Sequence, residues 1–209
     1  MMDRAAKAFA ERRPDEAISL YSEVIRRRRE TEDAYRKLAL VYWRTGRPRE
    51  AVETLETALK NGVTQREVII KLGQYLAESG QPARAIALLE HQAGDDPDAL
   101  IVLGNAFALA GRRADAARTF SSVLQQHPDD AVALENLGAM QLQAGDYATA
   151  ERSLRRAIAL DPRRAGAHTA LGVLLASTNR KAEAIAMWTR ALELDPGDEN
   201  ARHNLQSIR

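Results

Sequence analysis

An internal repeat constrains this chain more than any other feature. Leu137-Gly138 is followed by Ala144-Gly145-Asp146-Tyr147, Ala150, Ala157 and Asp161-Pro162. The pattern returns 34 residues later as Leu171-Gly172, Thr178-Asn179-Arg180, Ala184, Trp188, Ala191 and Asp195-Pro196. Reading backwards, Leu103-Gly104 leads to Gly111, Ala116, Phe120 and His127-Pro128, and Leu72-Gly73 leads to Gly80, Ala85 and Leu89. Leu38-Ala39 leads likewise to Tyr42, Gly46, Ala51, Leu55 and Ala58. A unit this short buries little apolar surface alone, so successive copies must stack to share a core.

The repeat is helical. Alanine supplies 38 of the 209 residues, and Leu, Arg and Glu, also strong helix formers, are abundant. Glycine and proline fall almost entirely between windows of about 12 residues whose apolar positions recur at three and four. Each repeat therefore reads as helical windows joined by turns, labelled A and B in chain order. Gly104, Gly138 and Gly172 on helix A, with Ala116, Ala150 and Ala184 on helix B, permit close approach of the pair, where a bulky side chain would overpack. Gly46, Gly80, Gly111 and Gly145 stand where the tight turn needs a positive φ. Asn179 departs from this pattern but tolerates that torsion. Pro128, Pro162 and Pro196 end helix B, since proline cannot continue the hydrogen-bond ladder.

These spacings resemble the tetratricopeptide repeat, of the kind used in bacterial-type scaffold proteins. The resemblance implies an all-α, right-handed solenoid of antiparallel helix pairs running through the chain as a single domain. Full repeats are placed at 32–65, 66–96, 97–130, 131–164 and 165–198. Residues 1–31 read as an incomplete repeat retaining helix B around Ala17, Tyr21 and Val24, and residues 199–209 as a terminal helix with Leu205 at the repeat's Leu position. Two departures stand out. The repeat at 66–96 is three residues short, with Ala93-Gly94-Asp95-Asp96-Pro97 replacing the end of helix B, a change that either tightens a loop or alters the pitch. Gly62-Val63 stands where proline is expected and ends the helix through glycine instead.

The family's groove is lined mainly by helices A. Groove positions here include Arg36, Trp43 and Arg44, then Glu67, Ile70, Gln74 and Glu78, then Asp98, Ile101, Asn105 and Leu109. Glu135, Leu142, Gln143, Thr169 and Val173 continue the series. The resemblance thus implies a non-catalytic interaction scaffold that takes an extended peptide or a helix. The candidate binding residues are Arg36, Trp43, Arg44, Ile70, Gln74, Ile101, Asn105, Leu109, Glu135 and Asn136. Trp and Arg are residue types enriched in interface hot spots, and Asn105 has the groups to bond a peptide backbone. The competing reading of Trp43 is that it packs on Tyr42 or on the incomplete repeat. Trp188, at a core position of the family pattern, is read as structural. The alternative function is self-association into a homo-oligomer, or spacing of other domains, through convex surfaces and open ends; exposed apolar area along Ile70, Ile101 and Leu109 favours the groove, and at the terminal helices favours self-assembly.

One subgroup of the family clamps C-terminal carboxylates with Lys, Asn, Asn, Lys and Arg. Asn105 and Asn136 match its asparagines, but Ile101 replaces the first lysine and Gly166 and Ala170 replace the later cations, so no such clamp is expected. An asparagine ladder suggested by Asn136 and Asn204 is broken by Lys37, Lys71, Val102 and Ala170.

Other functions lack support. Thirty Lys and Arg against 29 Asp and Glu leave a net charge of +1, which gives no global pull on nucleic acid. The Arg26 to Arg29 run lies near the end of a helix, where it complements the helix dipole as a solvated face, and Glu23, Glu30, Glu32 and Asp33 dilute its field. His91, His127, His168 and His203 lie about one repeat apart on differing faces, so no converging metal site is expected. Asp95-Asp96 and Asp129-Asp130 read as helix caps. No catalytic motif is recognisable and no cofactor is implied. The chain has no cysteine, which leaves the compartment open, with the cytoplasm favoured over the periplasm. No apolar stretch approaches the roughly 20 residues that cross a bilayer.

Overall fold

The computed structural model describes residues 1–28, 31–92 and 94–208. Arg29 and Glu30 of the charged run, Ala93 of the short repeat and Arg209 of the terminal helix lie outside the described residues. The described residues hold thirteen α-helices and no strand. They form two compact units, Met1–Ala110 and Gly111–Arg209.

In the first unit, α1 (Met2–Ala10) pairs with α2 (Pro14–Arg27), α3 (Glu32–Arg44) with α4 (Pro48–Lys60), and α5 (Arg66–Glu78) with α6 (Pro82–Gln92). Helix α7 (Pro97–Leu109) packs on both α5 and α6. The N-terminal segment therefore carries a nine-residue helix, α1, ahead of the helix B expected there. Its Ala5 and Ala8 join Ala17, Tyr21, Leu38 and Val41 in one buried cluster. In the second unit, α8 (Arg113–Gln126) packs on α9 (Ala131–Gln143), which pairs with α10 (Tyr147–Leu160). Helix α11 (Ala165–Ser177) pairs with α12 (Lys181–Leu194), and α13 (Glu199–Ser207) packs against α12.

Helix starts follow the sequence. Pro14, Pro48 and Pro97 occupy the first helical position, where the missing N–H costs nothing. Asp96 and Asp130 cap α7 and α9 by accepting from Ala99 N and Ala133 N at 3.0 and 2.8 Å, the role expected of these acid pairs. Several helix ends share one device. Gly46 N donates to Trp43 O at 3.1 Å and Arg47 N to Tyr42 O at 2.9 Å, the paired bonds of a Schellman turn. The same pair recurs at Gly80, at Gly145, at Asn179 and, unforeseen from the sequence, at Arg12, where φ is +59°. Gly62 (φ +81°) likewise ends α4, with Val63 N reaching back to Ala58 O at 2.9 Å. The short repeat keeps an α6 of eleven residues, ending before Gly94.

Arg12 and Asn179 hold a torsion that disfavours a Cβ. Replacing Arg12 by glycine is expected to stabilise the protein by about 0.5–1 kcal/mol, the strain relieved exceeding the extra freedom gained by the unfolded chain. Asn179→Gly should gain less, because asparagine tolerates this region. Urea denaturation measures both, and Gly145→Ala should shift the midpoint the other way by about 1 kcal/mol. No gain at Arg12 would show that the turn relaxes without cost.

The core combines buried alanines on the B helices with glycines on the A helices that receive a large side chain of the facing helix. Ala17, Ala51, Ala85, Ala116, Ala150 and Ala184 are all fully buried. A Cβ added at Gly73 would lie 2.8 Å from Leu89 Cδ1, and one at Gly138 would lie 2.8 Å from Leu154 Cγ. In the second unit, Leu154, Leu171, Leu174, Leu175 and Trp188 complete a continuous cluster. The Trp188 indole N–H donates to Thr169 O at 3.1 Å, which satisfies the one polar group of a buried ring.

Polar links join successive pairs within each unit. Arg180 Nη1 meets both Glu151 oxygens, at 2.9 and 3.0 Å, and Arg180 Nη2 meets Glu183 at 2.7 Å. Arg156 reaches Asp129 at 2.6 Å, and Thr169 Oγ1 donates to Asp198 at 2.5 Å. The Arg155 and Arg180 guanidiniums hold the Glu151 carboxyl below its ordinary range.

Candidate functional site

Helices α3, α5 and α7 lie side by side in the first unit because the apolar stripe of each is shared with its neighbours as well as with its own helix B. Their remaining faces carry most of the candidate residues. The centre is an aromatic stack: the rings of Trp43 on α3 and Tyr75 on α5 lie 4.2 Å apart with an interplanar angle of 4°. Trp43 thus packs on the following repeat, and remains half-buried. Tyr75 is 2% exposed, and burial, helped by Glu78 and opposed by Arg44, pushes its phenol up to about 12.

A depression of about 380 Å³ opens over this stack, lined by Leu40, Trp43, Arg44, Lys71, Gln74 and Tyr75. Leu40 leaves 38% of its surface in solvent. Lys71 Nζ lies 5.7 Å from the Tyr75 ring centroid and donates to Gln74 Oε1 at 2.8 Å, while Gln74 Nε2 donates to Glu78 Oε1 at 2.7 Å. Gln74 is therefore engaged at both ends of its amide. Arg44 is exposed at the rim.

The other candidates separate. Arg36 pairs with Glu32 and Asp33 at 3.2 and 3.6 Å, yet its buried Nε lacks a hydrogen-bond partner, because the Glu32 oxygen lies within ion-pair range without bonding geometry. Ile70 is half-buried on α5. Ile101 is only 8% exposed and serves the packing of α7. Asn105 is exposed, and Leu109 is 60% exposed at the end of α7. Glu135 and Asn136 lie on α9 in the second unit, where Glu135 accepts from Arg164 Nε at 2.5 Å. Leu40, Lys71 and Tyr75 were missed by the sequence reading. Their signal was the Trp43–Tyr75 spacing, two residues short of a full repeat, which sets side chains of neighbouring A helices opposite each other.

Large exposed apolar side chains also occur on the B helices of the second unit, at Tyr147, Leu160 and Ile185. In the basic run, Arg26 and Arg27 both bond Glu23, Arg27 Nε at 2.6 Å. Among the described residues no three His, Asp or Glu side chains converge as a metal site, and no helix is long and apolar enough to cross a membrane. His168 is buried, with Nε2 3.1 Å from Pro162 O.

Two family models described as tetratricopeptide repeat match the chain, one over residues 8–69 and 76–139 and the other over 136–199. The chain belongs to the tetratricopeptide repeat family, and its fold is an all-α solenoid of that type. No curated protein matches it significantly. Among solved structures, a tetratricopeptide repeat protein of Parabacteroides merdae is similar at 14% identity, with a TM-score of 0.82 over 98% of this chain and 81% of the other. A thermophilic protein of the family from Thermus thermophilus is similar at 23% identity, with a TM-score of 0.74 over 85% of this chain and 98% of the other. The family protein YrrB, described as having an unusual peptide-binding site, is similar at 18% identity, with a TM-score of 0.56 over 89% of this chain and 97% of the other. Repeats of this family generally mediate protein–protein interaction.

Proposed function

We propose that the chain is a non-catalytic interaction scaffold that takes an extended segment of a partner protein along the face formed by α3, α5 and α7. The observation that carries this reading is the Trp43–Tyr75 stack beneath an open depression bordered by the exposed side chain of Leu40, with Leu109 exposed on α7. A rigid aromatic platform beside accessible aliphatic groups gives a large contact area at little conformational cost. The peptide-binding site for which YrrB is described supports the reading, since it shows a solenoid of this family serving as a peptide receptor.

The test is selection of peptides on the full chain from a displayed library, followed by calorimetry with Trp43→Ala and Leu109→Asp. Each substitution should weaken the selected peptides about tenfold or more, as loss of an interface anchor does, with circular dichroism unchanged. Undiminished affinity in both folded variants would remove the site from this face. Sedimentation velocity belongs beside it: a concentration-dependent dimer disrupted by these substitutions would make self-association the function of the same surface.

A further inference from the structure

The depression over the aromatic stack carries positive charge that its own surroundings do not neutralise. Among the described residues, neither the Arg44 guanidinium nor the Lys71 ammonium has a carboxylate within ion-pairing distance; the hydrogen bond of Lys71 goes to the neutral amide of Gln74. Three of the acids nearby are paired with other cations. Glu32 and Asp33 pair with Arg36 and Lys37 at the start of α3, and Glu67 lies 3.8 Å from Arg66 at the start of α5. Glu78 accepts only from the neutral amide of Gln74, at 2.7 Å, and keeps its charge, which offsets one of the two cations and leaves the depression net positive. Two cations therefore flank an apolar floor made by Leu40, Trp43 and Tyr75.

We infer that the occupant of this depression is an acidic segment of a partner protein, in which an Asp or Glu side chain is received between Arg44 and Lys71 while an adjacent apolar side chain covers Leu40 and Trp43. The inference rests on the peptide-binding reading above and supplies the ligand chemistry. Charge complementarity is the argument. A carboxylate brought between the two cations completes ion pairs that the free protein lacks. Docking the neighbouring apolar group excludes water from those pairs, which makes them stronger than exposed surface pairs. The guanidinium can grip a carboxylate with two donors, and the ammonium adds a point charge. The carboxylate is assigned to an internal side chain because the face continues past the depression. Asn105 and Leu109 lie exposed further along, on α7, for the rest of a continuing chain to meet.

The probes are two terminally blocked heptapeptide libraries, one with a central Asp or Glu beside Leu or Phe, the other with Asn or Gln at the centre. Remaining positions are randomised among uncharged residues. A third set repeats the second with a free C-terminal carboxylate. Selection on the full chain should enrich the acidic library, and calorimetry of its best members should show about tenfold weaker binding to Arg44→Gln and to Lys71→Gln, or roughly 1.4 kcal/mol each. Binding should also weaken with added salt. Equal enrichment of the uncharged library, with loss on Trp43→Ala, would overturn the acidic assignment and leave the peptide-binding reading standing. Enrichment of the free-terminus set alone would overturn it in favour of a terminal carboxylate. Unchanged affinity in both cation variants, folded by circular dichroism, would overturn it as well, and no binding from any set would overturn both readings.

Discussion

Trp188→Ala should cost about 3–5 kcal/mol in urea denaturation, among the largest single losses available to this chain. The ring is 3% exposed and packs within the cluster of Leu154, Leu171, Leu174 and Leu175. Removing it leaves a cavity that two packed helices cannot close, because Gly172 has no side chain and Ala184 only a methyl with which to fill it. The indole N–H bond to Thr169 O is lost as well. Trp188→Phe retains most of the buried area and should cost well under half as much. A small effect of Trp188→Ala would show that the second unit repacks freely around this position.

The second large effect comes from adding an atom. A Cβ at Gly172 would lie 2.6 Å from Trp188 Cδ1 and 2.9 Å from Cε2, distances that packed atoms do not adopt. The indole cannot simply turn aside, since it is held by its bond to Thr169 and by neighbours on every side. Gly172→Ala is therefore expected to destabilise by about 1–3 kcal/mol despite the helix propensity of alanine. At Gly138 the clashing atoms are Cγ and Cδ2 of Leu154, at 2.8 and 2.9 Å, a less severe overlap than at Gly172. Gly138→Ala should consequently be milder. The cycle with Trp188→Ala separates overpacking from other causes: in that background Gly172→Ala should become neutral or stabilising, a coupling of about 2 kcal/mol or more. Simple additivity would refute the steric account.

Much of this packing was legible before any coordinates. The Leu-Gly pairs, the buried alanines and the turn glycines repeat because each does the same physical job in each copy, and period is what a single sequence displays most clearly. Asn179 could be placed in the left-handed region because it stands where glycine stands elsewhere, and its φ is +62°. Arg12 stands 34 residues before Gly46, so the same reasoning reached it in principle. It was hidden because the first helix of its repeat is short and lacks the Leu-Gly mark.

The candidate site was less legible, for a geometric reason. Periodicity fixes which face of a helix a residue occupies but not how far its neighbour leans over it. Ile101 is nearly covered where α7 packs on α5 and α6, whereas Leu109, two turns further along, protrudes. Trp43 could be named as a large residue on helix A, but its partner was set by the offset between α3 and α5, which emerges only when the helices stack. The isolation of Arg44 and Lys71 from carboxylates is a property of distances across helices, to which charge counts along the chain are blind.

The polar links between successive helix pairs reach only 27 to 30 residues along the sequence, as with Arg156 to Asp129 and Arg66 to Asp96. Among the described residues, links of this kind run between neighbouring pairs within each unit. Under tension, such a stack yields pair by pair from an end, at modest force and in small steps, and each pair can re-form against the one still standing. Each unit is thus built like a spring whose coils are fastened to their neighbours, and it can lengthen locally without losing the order of the rest.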